Sequence, residues 1–392
     1  MSVTRKPAVP FLRYRLTVEP LTAVHIGTDE TIAPYEYDVE LFPNDEYGVL
    51  TVYNLPRLLS GLQPQQRTQF LQLADKDDMQ ALRRWLREAA KTAGDSAQRF
   101  RAVMDFQAAR QLHDSLDDTN REGTINLHFR DALNNRPVIP GSSIKGAIRT
   151  AVLDRKLRLV GEDNPDVRWA AQERNQEQAL QGVLLGNGRN LRRDPFRQLA
   201  ITDVPFEPGS TCIERMQAVR RDGQPAKEEN IRVFREVLMS PAFVGQSPKG
   251  VGEVRLNPAI ADPRINYPVA NFRDRRQEDT HVTQPLPLAD LIDACNSFYA
   301  GQCLDEADSF VRKPRQNVSF SSPATVKTAM NEIDNLSSNQ CIIRVGHHSH
   351  FDCVTLHGRL RQNPRNFRGN TRWFAGGLIP LGWVRLTFDP MD

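Results

Sequence analysis

The sequence has no membrane-length apolar run, no paired-cysteine motif and almost no net charge, and each absence removes a class of function. No hydrophobic stretch approaches the roughly 20 residues that a bilayer span needs, and the opening MSVTRKPAVP lacks the apolar core of a secretory signal. The expected location is the cytoplasm, with no membrane partner. The five cysteines, Cys212, Cys295, Cys303, Cys341 and Cys353, include no C-x-x-C pair, which argues for reduced thiols and against a disulfide framework. With 51 basic and 48 acidic residues the formal net charge is only +3, too little to make the whole surface a polyanion binder. Any nucleic-acid surface must therefore be local.

One local imbalance comes from missing acid. Between Cys353 and Phe388 there is no Asp or Glu, while Arg359, Arg361, Arg365, Arg368, Arg372 and Arg385 stand beside Phe367, Trp373, Phe374 and Trp383. Guanidinium groups neutralise phosphates and flat rings stack on unpaired bases, so this stretch is expected to contact RNA, with Arg368, Arg372 and Trp373 as candidates. A second basic cluster, Arg189, Arg192, Arg193 and Arg197, follows GVLLGNG, and Arg192 and Arg193 are its candidates. A solvated charged face is the plain alternative for each cluster.

Residues 140–153, PGSSIKGAIRTAVL, build a helix start that faces an anion. Pro140 and Gly141 make a turn, Ser142 or Ser143 is placed to cap, and Ile144, Ala147, Ile148, Ala151 and Val152 recur at helical spacing. Lys145 and Arg149, one turn apart, are expected to face a polyanion there, and Gly146 lets a backbone approach. The alternative is an ordinary capped amphipathic helix whose cations are solvated.

Elsewhere, alternation marks strands at residues 12–24, 36–41 and 47–52, and residues about 56–118 read as a helical insertion with a cap at Asp77 or Asp78. A strand at 124–129 leads to the Pro140 turn, and 168–185 reads as one helix. A boundary falls at 205–209. Beyond it, strands are expected at 211–219 and 252–256, with 231–239 ambiguous between strand and helix. An irregular charged loop follows at 263–284, then helices at 288–310 and 324–336, and strands at 341–345 and 379–388. At 392 residues the chain is long enough for two α+β domains, expected at 1–207 and 208–392.

Four ordered segments carry a family resemblance. IPGSSIKGAIR resembles the signature of the RAMP proteins of CRISPR systems. LTVEPLTAVHIG, residues 16–27, is similar to the first RAMP strand and its loop. DPFRQLAITDVPF, residues 194–206, resembles the segment joining the two halves of the capping subunit family of type III-A interference complexes. RVGHHSHF with TRWFAGGLIPLGWVRL resembles that family's glycine-rich loop and closing strand, except that His347, His348, Ser349 and His350 stand where glycines are usual. The resemblance implies two ferredoxin-like, RRM-type domains and favours a strand at 231–239. It further implies a non-catalytic protein that binds guide RNA (crRNA), caps a filament of backbone RAMP subunits at the RNA 3′ end, and assists maturation by outside host nucleases. It adds His25, Gly27, Thr28, Arg344, His347, His348 and His350 to the RNA-contact candidates.

Two other chemistries are weighed. His25 as general base on a 2′-hydroxyl would make the protein a RAMP endoribonuclease that processes guide RNA, and the resemblance to backbone RAMP subunits that cut target RNA through an early-loop Asp offers Asp29 or Asp38. His347, His348, His350, Cys353 and His357 would suit zinc in a metal-stabilised assembly module, although their spacing fits no finger. Neutral imidazoles bonded to or stacked on RNA account for the loop without metal, with charging expected to tighten binding near pH 6. No catalytic residue, metal or cofactor is therefore assigned.

Overall fold

The computed structural model describes residues 11–76, 78–118, 123–186, 193–222, 233–241, 245–257, 286–311, 322–354, 356 and 371–392. The charged loop expected at 263–284, together with Arg189, Arg192, Arg359, Arg361, Arg365, Phe367, Arg368 and His357, lies outside them.

Along the first half run β1 (Leu12–Pro20), β2 (Gly27–Ile32), β3 (Tyr37–Phe42), β4 (Tyr47–Tyr53), α1 (Leu55–Ser60), α2 (Pro64–Asp75), α3 (Met79–Ala93), β5 (Gln98–Asp105) and α4 (Phe106–Ser115). They are followed by β6 (Ile125–His128), β7 (Val138–Ile139), α5 (Gly141–Val160), α6 (Pro165–Gln172), α7 (Gln176–Leu184), β8 (Leu199–Ile201) and β9 (Val204–Pro205). The second half has β10 (Thr211–Arg220), β11 (Val233–Leu238), β12 (Gly250–Leu256), α8 (Leu288–Ser309), α9 (Pro323–Asn331), β13 (Gln340–Arg344), α10 (His350–Val354), β14 (Thr371–Ala375) and β15 (Trp383–Met391).

The fold class is α+β. A five-stranded sheet has the order β13-β15-β1-β12-β8, and a larger one runs β2-β6-β11-β10-β5-β4-β3 with β14 also on β10. The alternation of β1 buries Leu16 and Val18 and exposes Arg13 and Arg15, as a strand with one packed face should. β1 pairs with β12 and β15, and β5 pairs in parallel with β10. Both sheets thus draw strands from either side of residue 207. Helices α5 and α8 pack together over the five-stranded sheet, joining Ile144, Ile148, Ala151, Leu291, Cys295 and Phe298 to Leu16 and Leu386 in one core.

Two sequence expectations need correction here. The insertion at 56–118 is not wholly helical: residues 98–105 form β5, because Phe100, Ala102 and Met104 alternate inward against α4. The 168–185 helix is two, α6 and α7, separated at the extended Glu173. Asp78 is the residue that caps α3, accepting from the Ala81 amide at 3.0 Å.

β13 is an edge strand, and a side chain takes the place of its missing neighbour. Asn296 of α8 accepts from the Ile342 amide and donates to the Gln340 carbonyl, both at 3.1 Å. Asn296→Ala leaves both backbone groups without this partner and should cost about 2 kcal/mol in chemical denaturation. A change below about 0.5 kcal/mol would mean that water replaces the amide at no cost.

Candidate nucleic-acid interface

A groove of about 380 Å³ opens between α5 and the loop after β13. It is lined by Ile26 and Gly27, by Ser143, Gly146, Ala147 and Thr150 of α5, by Tyr299, and by Val345, Gly346, His347 and Ser349. Three segments far apart in sequence meet there. The residues from 21 to 26 cross between the sheets: Leu21 donates to the Trp383 carbonyl, Val24 bridges Leu238, and the His347 amide donates to the His25 carbonyl at 3.0 Å. Gly141 has a packing reason, since a Cβ at that position would lie 2.2 Å from the Ile201 carbonyl oxygen. Gly146 is different: nothing lies within 4 Å of a Cβ built there, and it faces the open groove.

The start of α5 corrects the expected anion site. Neither Ser142 nor Ser143 caps it; the cap residue is Pro140, and the Gly141 amide donates to the Asp203 carboxylate at 2.8 Å. The anion at this helix end is the chain's own. Lys145 donates to the Leu199 carbonyl at 2.6 Å, while Arg149 pairs with Asp194 at 2.7 Å and lies 4.9 Å over the Phe196 ring. Both cations tie α5 to the 194–201 segment, because α5 turns that side towards it. Ser142 is exposed and Ser143 lines the groove.

Arg344 and Arg372 also point inward. Arg344 is fully buried, and both guanidiniums meet Glu306 of α8, at 3.1 and 2.6 Å, with the Trp383 indole donating to the same carboxylate at 2.6 Å. Arg372 further pairs with Asp352 at 2.9 Å, and Arg344 donates to the Leu381 carbonyl at 2.9 Å. Two cations and two anions cancel. The acids lie outside the acid-free window, and of its arginines Arg372 is the one they neutralise. Trp373 is half-buried with its ring 6.3 Å from that of His348, and Arg193 is half-buried with internal contacts.

His25 is a packed neutral imidazole. Its Nδ1 lies 2.7 Å from the Glu236 carbonyl and its Nε2 3.0 Å from the Arg235 guanidinium. Since arginine only donates, Nε2 accepts and Nδ1 carries the proton. Burial pushes the pKa of His25 down to about 3, and burial does the same to His128. Beneath them Glu236 holds Arg130, which bonds Thr211 at 3.0 Å and covers the Phe100 ring at 4.0 Å. Thr28 is exposed and accepts from the Glu30 amide at 3.2 Å. Asp38 pairs with Lys91 at 2.9 Å, away from the groove.

The histidine loop continues a chain of rings. Centroids run from His128 to His25 at 6.3 Å, His25 to His347 at 6.3 Å, His347 to His348 at 4.8 Å, and on to Trp373. His347 is exposed at the groove mouth. Burial holds His348 and His350 down to about 3 and lowers His347 as well, so His348 and His350 add no charge near pH 6. Cys353 turns its thiol to Gln302 at 3.1 Å, and among the described residues no group of three His, Cys, Asp or Glu is placed to hold a metal. Arg235, which no motif marks, is the charged residue that sequence reasoning missed here.

Two curled sheets with helices packed on them, a glycine-faced helix and a loop closing one groove are consistent with the ferredoxin-like folds of RAMP proteins. Residues 17–275 match the model of the RAMP superfamily, and the chain belongs to that superfamily. No curated protein matches the sequence. Among solved structures, a chain of a cryo-EM Csm–crRNA–target RNA ternary complex of a type III-A CRISPR-Cas system is similar, with TM-score 0.60, 18% identity, and 95% of this chain and 100% of that chain covered. The crystal structure of T. onnurineus Csm5 is similar at TM-score 0.55 and 17% identity, covering 94% of this chain and 99% of that chain. These likenesses are of fold. Among the described residues no helix is long and apolar enough to cross a membrane.

Proposed function

We propose that this protein is a guide-RNA-binding subunit of a type III-A CRISPR complex, seated as the cap of the backbone RAMP filament at the RNA 3′ end, where it assists host nucleases that trim the guide. The observation that carries this reading is the groove, where the first-strand loop, the α5 signature helix and the loop after β13 converge. A shape-reading groove with an exposed glycine face accepts any spacer sequence, which a guide-binding subunit requires. Its near full-length likeness in fold to Csm5 supports the capping position.

The reading is of a non-catalytic subunit. The lone pair of His25 is occupied by Arg235 and its imidazole is buried, so it is not presented as a base to a 2′-hydroxyl. The test is assembly with backbone subunits and a guide carrying a photo-crosslinker at each end. Crosslinking to the 3′-proximal probe, with guide precursor left intact by the isolated protein, is expected. Crosslinking only at the 5′ end, or cleavage abolished by His25→Ala, would overturn it.

A further inference from the structure

Among the described residues, four buried or half-buried arginines near the groove are matched to carboxylates, and Arg235 is not. Arg130 has Glu236, Arg149 has Asp194, and Arg344 and Arg372 share Glu306. Arg235 on β11 ion-pairs with no carboxylate among the described residues, and its Nε is buried without a hydrogen-bond partner. Its cross-strand register partner is Glu214, which makes no ion pair with it. Burial and nearby Asp105 push the Glu214 carboxyl up to about 8, leaving it uncharged at neutral pH. A guanidinium cannot give up its proton to escape the cost of burial, so an unmatched one calls for an anion.

Arg235 is half-buried, and what surrounds it is neutral. Its electrostatic neighbours are the imidazoles of His25, His347 and His348. Gly27 borders the same space: a Cβ there would lie 3.5 Å from His25 Nε2 and 3.8 Å from His347 Nδ1, so glycine leaves room beside both rings. Gly27 and His347 also line the groove. Asp29 lies near enough to favour charge on His347 but does not pair with Arg235.

We propose that Arg235, flanked by His347 and opened by Gly27, seats one backbone phosphate of single-stranded RNA entering the groove. This rests on the RNA-binding reading and adds a residue to it. The fork of Arg235 supplies the charge, His347 a neutral hydrogen bond, and a phosphodiester the single negative charge that the site lacks.

The test measures binding of a single-stranded guide oligonucleotide as a function of salt. Arg235→Met should weaken binding about tenfold at low salt and make the slope of log K against log salt shallower by about 0.7, the value for one phosphate on a single strand. Arg235→Lys should keep that slope. A scan replacing single phosphates with neutral methylphosphonates should find one position whose change weakens the wild type and has no further effect on Arg235→Met. If Arg235→Met fails to fold, His347→Gln at its exposed position replaces it, with about threefold weaker binding and an unchanged slope expected. Wild-type affinity and slope in Arg235→Met, wild-type affinity in His347→Gln, or no sensitive phosphate, would overturn the seat. Wild-type protein that binds no RNA at low salt would instead remove the functional reading beneath it, so the two failures are distinct.

Discussion

Glu306→Gln should cost about 3–5 kcal/mol of unfolding free energy, the range for removing one partner of a buried ion pair. Glu306 is fully buried, and its carboxylate takes Arg344, Arg372 and the Trp383 indole at once. Glutamine preserves the shape but leaves two guanidiniums in the core of β13, β14 and β15 with one remaining acid, Asp352, for Arg372 alone. Arg344, with no exposed side-chain surface, bears most of the loss. The pH dependence has a definite sign. Burial opposes ionisation, but the Arg344 and Arg372 charges overcome it and hold the Glu306 pKa down to about 2, against 4.5 for the free side chain. A depressed folded pKa gives stability that is present above about 4.5 and lost as pH falls through about 2. Acid titration of unfolding should therefore show a steep limb in that window for the wild type and a shallower one for Glu306→Gln. A loss under 1 kcal/mol at neutral pH would mean that water reaches Arg344.

This network also shows why part of the candidate site was not legible in sequence. The acid-free window after Cys353 read correctly as a count of charge, but charge balance is a property of space. Asp352 stands one residue before the window and Glu306 arrives from α8, and together they neutralise Arg372, which the window counted as free charge. The partners of Lys145 and Arg149 were hidden for a related reason. Helical spacing showed that the two cations share a side of α5 but not that Asp194 and the Leu199 carbonyl would occupy it. Arg235 carried no signal at all, lying in a segment whose strand character was itself ambiguous.

The fold was more legible, because periodicity and glycine chemistry are local. The apolar stripe of α5, the alternation of β1 and the ends of α8 follow from spacing. β5 was missed although Phe100, Ala102 and Met104 alternate, since a helical reading was carried across it. The interleaving of the two halves, with β1 between β12 and β15, could not be read from any local pattern.

Gly346→Ala is expected to lower stability by about 2–4 kcal/mol, combining left-handed strain of about 1–3 kcal/mol with a lost hydrogen bond of about 1 kcal/mol. Gly346 sits at φ +95°, and an added Cβ would lie 2.4 Å from the His25 carbonyl oxygen. That same carbonyl accepts from the His347 amide at 3.0 Å, so the methyl group collides with the contact that holds the loop closed. Relief requires the loop to lift from the first-strand crossing, which would widen the groove and move His347 away from His25. RNA affinity should therefore fall at least tenfold even where the protein remains folded. Gly146→Ala is the contrast within the same groove: nothing lies within 4 Å of its Cβ, and removing a helical glycine should raise stability by about 1 kcal/mol. Denaturation and RNA binding measured on both variants check the argument. If Gly346→Ala is as stable as the wild type and binds RNA equally well, the loop does not depend on this close approach, and the groove it closes is not the RNA path.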